Sequence, residues 1–266
     1  MYVCIIDQIE KCVYRLIKMS SLYDRLVNKV MQSRALGRVH RINTEEIDSS
    51  QDRFSEPFIT VSREPGSGGK PVAQMVAKKL NFAFYNKQIV EDLSKSVHQR
   101  TVLLESVDER GRTAIEDIIH GIFNPDYVSD ISYIEHLSRV ILSAAYKGEV
   151  VILGRGANFI TPFESGLHVR ICAPYSVRVE RAIKYEKISK EKVIQIIKET
   201  DTKRQEFIRQ YFGKDIANPD YYDLVINTAD MSIEDAAEHV MLALKNKFPE
   251  YAKKRRKLFE KLILTF

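Results

Sequence analysis

Three glycines and a lysine stand close together in Phe58-Ile-Thr-Val-Ser-Arg-Glu-Pro-Gly-Ser-Gly-Gly-Lys-Pro-Val-Ala, directly after an apolar run. The chemistry such a segment offers is the gripping of an anion. Gly66, Gly68 and Gly69 let the backbone turn sharply and approach a ligand, so that N–H groups converge. A helix starting there adds its unsatisfied N–H groups and its positive dipole end. Lys70, at the mouth of the loop, is a point charge for a phosphate, and Arg63 and Ser67 are further donors. Pro71 suits a first helical turn, where a missing N–H costs nothing. Against the pattern G-x-x-x-x-G-K-[ST], one feature is missing whichever way the segment is set. Matching Lys70 to the lysine leaves Pro71 where a hydroxyl belongs. Matching through Val72-Ala73 puts Gly69 in the lysine's place and Arg63 in that of the first glycine. The nucleotide-binding set read here is Arg63, Gly66, Ser67, Gly68, Gly69 and Lys70.

A second segment, Val150-Val-Ile-Leu-Gly-Arg-Gly-Ala-Asn-Phe-Ile160, ends an apolar run in Gly-Arg-Gly. Arg155 then falls at the carboxyl end of a strand, where open α/β sheets bind ligands. Further cations follow at a strand exit and on helices: Arg178 and Arg181 three apart on one face, then Lys203, Arg204 and Arg209. Phosphoryl transfer spreads negative charge over several oxygens, and arginines placed around it neutralise that charge. Lys70, Arg155, Arg178 and Arg181 are therefore the catalytic candidates, with Lys203, Arg204 and Arg209 as further cations. His40, His98, His120, His136, His168 and His239 stand beside no Ser or Cys nucleophile motif. His168 alternates with Arg170, which makes one face of their strand polar near the cleft. Glu105, Asp108, Glu109 and Arg110 read as a solvated helix face, with Asp108 a weaker option for positioning an acceptor hydroxyl. Cys4, Cys12 and Cys172 are too few and too scattered for a zinc set or a disulfide framework, and no metal ligands are assigned.

These residues need a scaffold of alternating strands and helices. Short β-branched or aromatic runs predict strands at Phe58–Ser62, Val150–Leu153, Leu167–Cys172 and Tyr222–Asn227, with a weaker fifth at Phe82–Tyr85. Helical spacing predicts helices at Pro71–Leu80, Asn86–Val97, Ile131–Tyr146, Val177–Tyr185, Lys190–Phe212 and Ile233–Lys247, the last opened by a capping box at Ser232–Asp235. Such alternation implies a parallel sheet covered on both faces. Residues 57–247 form this domain. Residues 1–50 carry apolar positions at helical spacing and predict one or two added helices, suited to docking or self-association. Residues 248–266 are a basic, amphipathic tail whose KKRRK cluster reads as a solvated helix face rather than a nucleic-acid contact.

The whole chain fits this picture. It has 266 residues, 44% hydrophobic, with a formal net charge of +5, a mild excess that suits anionic substrates. No apolar run reaches the ~20 residues needed to span a bilayer, and the N-terminus, its apolar residues interrupted by Asp7, Glu10 and Lys11, does not read as a signal peptide. The sparse cysteines point to a reducing, cytoplasmic setting.

The order and spacing of ITVSREPGSGGKPVAQMVAKKL, FAFYNKQIVEDL, VVILGRGANFI, VRICAPYSVRVERAI, DTKRQEFIRQYFG and NPDYYDLVINTADMSIEDAA resemble the cytidylate kinase-like family over about Phe58–Leu244. The resemblance implies an α/β P-loop three-layer fold: a five-stranded parallel sheet with a helical monophosphate-binding arm and an arginine-bearing lid. It implies ATP as donor, with Mg²⁺ held mainly by substrate and water, and a pyrimidine nucleoside monophosphate such as CMP or dCMP as acceptor. By the same resemblance Gly66–Lys70 hold donor phosphates and Arg155 the acceptor phosphate, while Arg178, Arg181 and Lys203–Arg209 map to the lid. Tyr85, Asn86 and Lys87 begin the acceptor arm, and Arg100–Asp130 belong to it. Where cytidylate kinases are similar to G-R-D, this chain has Gly156. The expectation is a nucleoside monophosphate kinase-like phosphotransferase. The alternative is a catalytically weak nucleotide-sensing or protein-interaction module on the same fold.

Overall fold

The apolar runs Phe58–Arg63, Val150–Leu153 and Gly166–Cys172 become strands because both faces of each are buried. In a computed structural model of the chain, which describes residue 54 and residues 56–95, 102–122, 131–256 and 259, five parallel strands lie in the order β2-β3-β1-β4-β5. They are β1 (Phe58–Arg63), β2 (Ala83–Tyr85), β3 (Val150–Leu153), β4 (Gly166–Cys172) and β5 (Leu224–Asn227). Side chains alternate across the sheet with period two. Ile59, Val61, Val151 and Leu153 face one core, whereas Phe58, Val150 and Ile152 face the other. A strand buried on both sides loses its polar alternation and reads as a continuous apolar run.

Helix α1 (Gly69–Leu80) lies on one face, packing Val72, Val76 and Leu80 on the sheet beside Val240 and Leu244 of α8 (Ile233–Lys247). The other face is covered by α2 (Lys87–Lys95), α3 (Glu109–Ile122) and α4 (Ile131–Lys147), with Ile115, Ile134, Leu137 and Ile141 in its core. A four-residue helix, α5 (Ala157–Ile160), follows β3. Helices α6 (Tyr175–Glu186) and α7 (Lys190–Phe212) pack on each other through a small core of their own, Val179, Val193 and Ile197. The pair lies in the connection from β4 to β5, and α7 also packs Phe207 and Phe212 against the second sheet core.

Three elements differ from the sequence expectation. Strand β5 starts at Leu224 rather than Tyr222, because a 3₁₀ turn at Pro219–Tyr221, capped by Asn218, precedes it. The run around Asp108 is more than a solvated face. The Asp108 carboxylate accepts from the Gly111 N–H at 2.8 Å and the Tyr146 hydroxyl at 2.7 Å, and so fixes the start of α3. The tail is partly docked: Tyr251 and Ala252 of α9 (Pro249–Lys254) are buried in the α1 core, with Tyr251 edge-on to Phe82 at 6.3 Å. Its basic residues Lys253 and Lys254 stay exposed. The helices expected in residues 1–50, part of the Arg100–Asp130 arm and the end of the tail lie outside the described residues.

Candidate active site

The loop forms because glycine alone fits its two tightest corners. Gly66 and Gly68 both take φ of +79°, in the left-handed region. A Cβ on Gly66 would lie 2.5 Å from the carbonyl oxygen of Arg178, so even without the φ penalty no side chain fits. Helix α1 opens at Gly69, with Gly68 as its N-cap. That register corresponds to the second of the two alignments, with Gly69 where the usual lysine opens the helix. The first-turn N–H groups of α1, which a helix cannot satisfy internally, open at the loop. Lys70 sits exposed in that turn. The Ser67 side chain is turned inward: its hydroxyl donates to the carbonyls of Glu64 at 2.8 Å and Ile171 at 3.2 Å. Thr228, just past β5, donates to the Ser67 carbonyl at 2.7 Å. The bonds to Ile171 and from Thr228 staple the loop to the sheet.

Next to the loop, four cations converge. Arg63 ends β1, and its guanidinium lies against Gly154, where an added Cβ would meet Nη1 at 2.1 Å. Arg204 of α7 donates to the Arg63 carbonyl at 2.6 Å. Burial, then repulsion from Arg204 and Arg155, lowers the Arg63 pKa to about 9. Lys87, at the start of α2, is lowered first by Arg155, then by burial and by Arg204, Arg63 and Lys203. Burial also lowers Arg155 and Arg204. Arg155 pairs with Glu91, stacks over Phe207 at 5.7 Å and buries an Nε with no partner. Arg63 makes no ion pair with a carboxylate among the described residues. Like charges held this close and short of counter-ions describe a site built for an anion. The backbone under Arg155 has the same character: Gly154, Arg155 and Gly156 take φ of +82°, +58° and +66° in succession. A non-glycine residue held left-handed is strain that clusters at functional sites.

The other candidates are placed differently. Arg178 donates to Asp201 of α7 at 2.8 Å, lies 3.6 Å from Glu64 and stacks on Tyr175 at 5.5 Å. Arg181 is spent on the loop after β5, donating to the Thr228 hydroxyl at 2.9 Å and the Thr228 carbonyl at 2.5 Å. Lys203 is exposed beside Glu199 and Arg209 is exposed in the last turn of α7. The structure thus gathers Arg63, Lys87, Arg155 and Arg204, sets Arg178 and Arg181 as braces, and joins Arg209 to neither among the described residues. Tyr85 ends β2, and the Asn86 side chain accepts from the Ile89 N–H at 3.0 Å at the head of α2. His168 is not at the cleft. It is buried, bonded to Thr60 Oγ1 at 2.6 Å and stacked on Phe163 at 5.0 Å.

Sequence reasoning missed the carboxylates that hold the arginines. Glu64 Oε1 accepts from Arg170 at 3.1 Å and Oε2 from the Ala173 N–H at 3.2 Å, tying the loop to β4. Glu91 and Asp201 do the same for Arg155 and Arg178. Their one sequence signal is acidic residues near the cation-rich segments.

The model of the cytidylate kinase-like family matches residues 58–230. The chain belongs to this family. It is a nucleoside monophosphate kinase-like enzyme. It is similar, at 28% identity, to a cytidylate kinase of Sulfolobus acidocaldarius, over 71% of this chain and 94% of that protein. A cytidylate kinase of Ignicoccus hospitalis is 25% identical over 68% of this chain and 95% of its own length. Among solved structures, an uncharacterized protein from Eubacterium ventriosum shares the fold with a TM-score of 0.57 at 20% identity, covering 72% of this chain and 99% of that one. No helix among the described residues is long and apolar enough to cross a membrane.

Proposed function

We propose that this enzyme transfers the γ-phosphoryl group of ATP to a pyrimidine nucleoside monophosphate, CMP or dCMP. The observation that carries the reading is the set of four cations beside a glycine loop that opens a helix: Arg63, Lys87, Arg155 and Arg204, with Arg63 lacking a carboxylate partner among the described residues. The loop N–H groups, with Lys70 at their mouth, bind the donor's β- and γ-oxygens. Arg155, at the end of β3, fixes the acceptor phosphate, with Lys87 entering from the acceptor arm. An acceptor phosphate oxygen attacks the γ-phosphorus in line, the bond to the β-bridging oxygen breaks, and ADP leaves. Such a transfer needs positioning and charge neutralisation more than covalent help from the protein. Helix α7 brings Arg204 to the charge and, through Asp201, holds Arg178 against the loop. The pyrimidine preference rests on the cytidylate kinase relatives.

Magnesium fits this site as an ion held mainly by donor oxygens and water. No group of three or more His, Cys, Asp or Glu among the described residues is placed to hold a metal. The loop's own hydroxyl and carboxylate, Ser67 and Glu64, are both engaged within the protein. When bound, the ion neutralises part of the donor's charge.

A coupled ADP-release assay over a panel of monophosphates tests the proposal. CMP or dCMP should raise turnover above that with AMP, GMP or UMP. ATP binding without any acceptor-stimulated release would instead favour the nucleotide-sensing alternative.

A further inference from the structure

The loop holds a reciprocal exchange. In the pattern G-x-x-x-x-G-K-[ST], a glycine ends the strand and a lysine opens the helix. Here an arginine, Arg63, ends the strand and a glycine, Gly69, opens the helix. The two positions touch. A Cβ on Gly69 would lie 2.4 Å from Cβ and 3.1 Å from Cγ of Arg63, so the arginine stem already fills the space into which a side chain at position 69 would leave the backbone. Only one of the two residues can carry a side chain, and in this chain it is the strand residue. The Arg63 guanidinium then ends beside Gly154, at the entrance to the Gly154-Arg155-Gly156 turn, where it faces Arg155 and Arg204. Lys70, one residue along α1, is exposed in the first turn.

We propose that Arg63, rather than Lys70, is the principal donor-phosphate cation of the loop, reaching from the strand end into the place a loop lysine would occupy, with Gly69 bare to let it pass. The inference rests on the kinase reading above. A guanidinium differs from an ammonium in kind, because its planar fork grips two phosphate oxygens at once. It also reaches toward Arg155, which places Arg63 between the two nucleotides, where charge accumulates during transfer. This accounts for the lack of a carboxylate partner among the described residues: an ion pair would compete with the phosphate.

The test compares Arg63→Met, Arg63→Lys and Lys70→Ala with the wild-type enzyme, and adds the exchange Arg63→Gly/Gly69→Lys. Steady-state kinetics are read with ATP and the best acceptor, and calorimetry gives affinities for ATP and adenosine. Arg63→Met should lower kcat by about 100-fold or more and shrink the preference for ATP over adenosine. Lys70→Ala should cost less than Arg63→Met. Gly69→Lys alone should fail, because its side chain meets the Arg63 stem. The double variant should recover at least about tenfold over Arg63→Gly, since the exchange rebuilds the usual geometry. Melting curves show which variants fold. If Arg63→Met does not fold, the comparison of Arg63→Lys with the double variant decides. The proposal is overturned if folded Arg63→Met keeps a near wild-type kcat, if Lys70→Ala is the more damaging change, or if the double variant is no better than Arg63→Gly. A wild-type chain with no transfer to any monophosphate would instead overturn the kinase reading itself.

Discussion

Replacing Gly66 by alanine adds one methyl group, and the structure fixes its cost. The residue stands at φ +79°, which costs a side-chain-bearing residue about 1–2 kcal/mol. The added Cβ would sit 2.5 Å from the Arg178 carbonyl oxygen, against an ordinary contact of 3.4 Å or more. Two backbone segments must therefore separate by about 0.9 Å. Neither can give cheaply, because the loop is pinned through Ser67 and Glu64 and Arg178 through Asp201. We expect a total loss of about 2–4 kcal/mol, as for other strained backbone sites. The activity effect should be larger than the stability effect. A misplacement near 1 Å in groups that position a reacting phosphate costs about 100-fold in rate. Gly213, at the end of α7, is the internal control. It has φ +62° but nothing within 4 Å of an added Cβ, so Gly213→Ala carries the φ penalty alone. Thermal melts and kcat/KM on both variants make the comparison. Gly66→Ala should lose about 100-fold in kcat/KM while still folded, whereas Gly213→Ala should lose a few degrees in Tm and little activity. Equal activity losses in the two, or a Gly66→Ala enzyme with wild-type kcat/KM, would refute the argument that this corner shapes the phosphate site.

Three further expectations concern the supports. Glu64→Gln removes the charge shared by Arg170 and Arg178, which should cost about 2–4 kcal/mol in a denaturant titration; an unchanged midpoint would show that the pairs only decorate the loop. His168 is buried with its pKa lowered to about 3, mainly by desolvation. The unfolded chain takes up a proton near pH 6.5 that the folded one refuses, so stability is full above that pH and falls below it by about 1.4 kcal/mol per unit. Between pH 7.5 and pH 5 the wild type should therefore lose about 2 kcal/mol more than His168→Gln, and parallel losses would contradict this. Tyr251→Ala empties a core position against Phe82 and removes the hydroxyl bond to Glu149 at 2.9 Å, for about 3–5 kcal/mol; a Tm within a degree of wild type would mean that the tail does not brace the domain.

The elements most open to sequence reading were those whose burial dictates their composition. Phe58–Ile59–Thr60–Val61 and Val150–Leu153 are covered by helices on both sides, so they had to be largely apolar, Thr60 being buried with its hydroxyl on His168, and their bounds came within a residue. Helix α3 was harder, since its buried Ala114, Ile115 and Ile119 are set among charged neighbours whose first anchor, Asp108, works as a cap. At the site, the arginines were visible as residue types at strand and helix ends, but not their division of labour. Whether an arginine binds a ligand or braces a loop depends on which carboxylates the fold sets beside it. Asp201 reaches Arg178 across 23 positions and Glu64 reaches Arg170 across 106, distances over which no local pattern speaks. The inward turn of Ser67 was hidden for the same reason: its acceptor at Ile171 lies 104 positions away.

The central claim is that the glycine loop and the arginine cluster form one continuous track for two nucleotides joined through phosphate. A bisubstrate ligand in which cytidine and adenosine are linked 5′ to 5′ by five phosphates tests it directly, by calorimetry and by inhibition kinetics on the full chain. Its binding should exceed that of ATP by at least about 100-fold, because it fills both sites at once, and it should compete with both ATP and the monophosphate. A ligand that binds no more tightly than ATP, or that competes with ATP alone, would show that no acceptor site adjoins the loop.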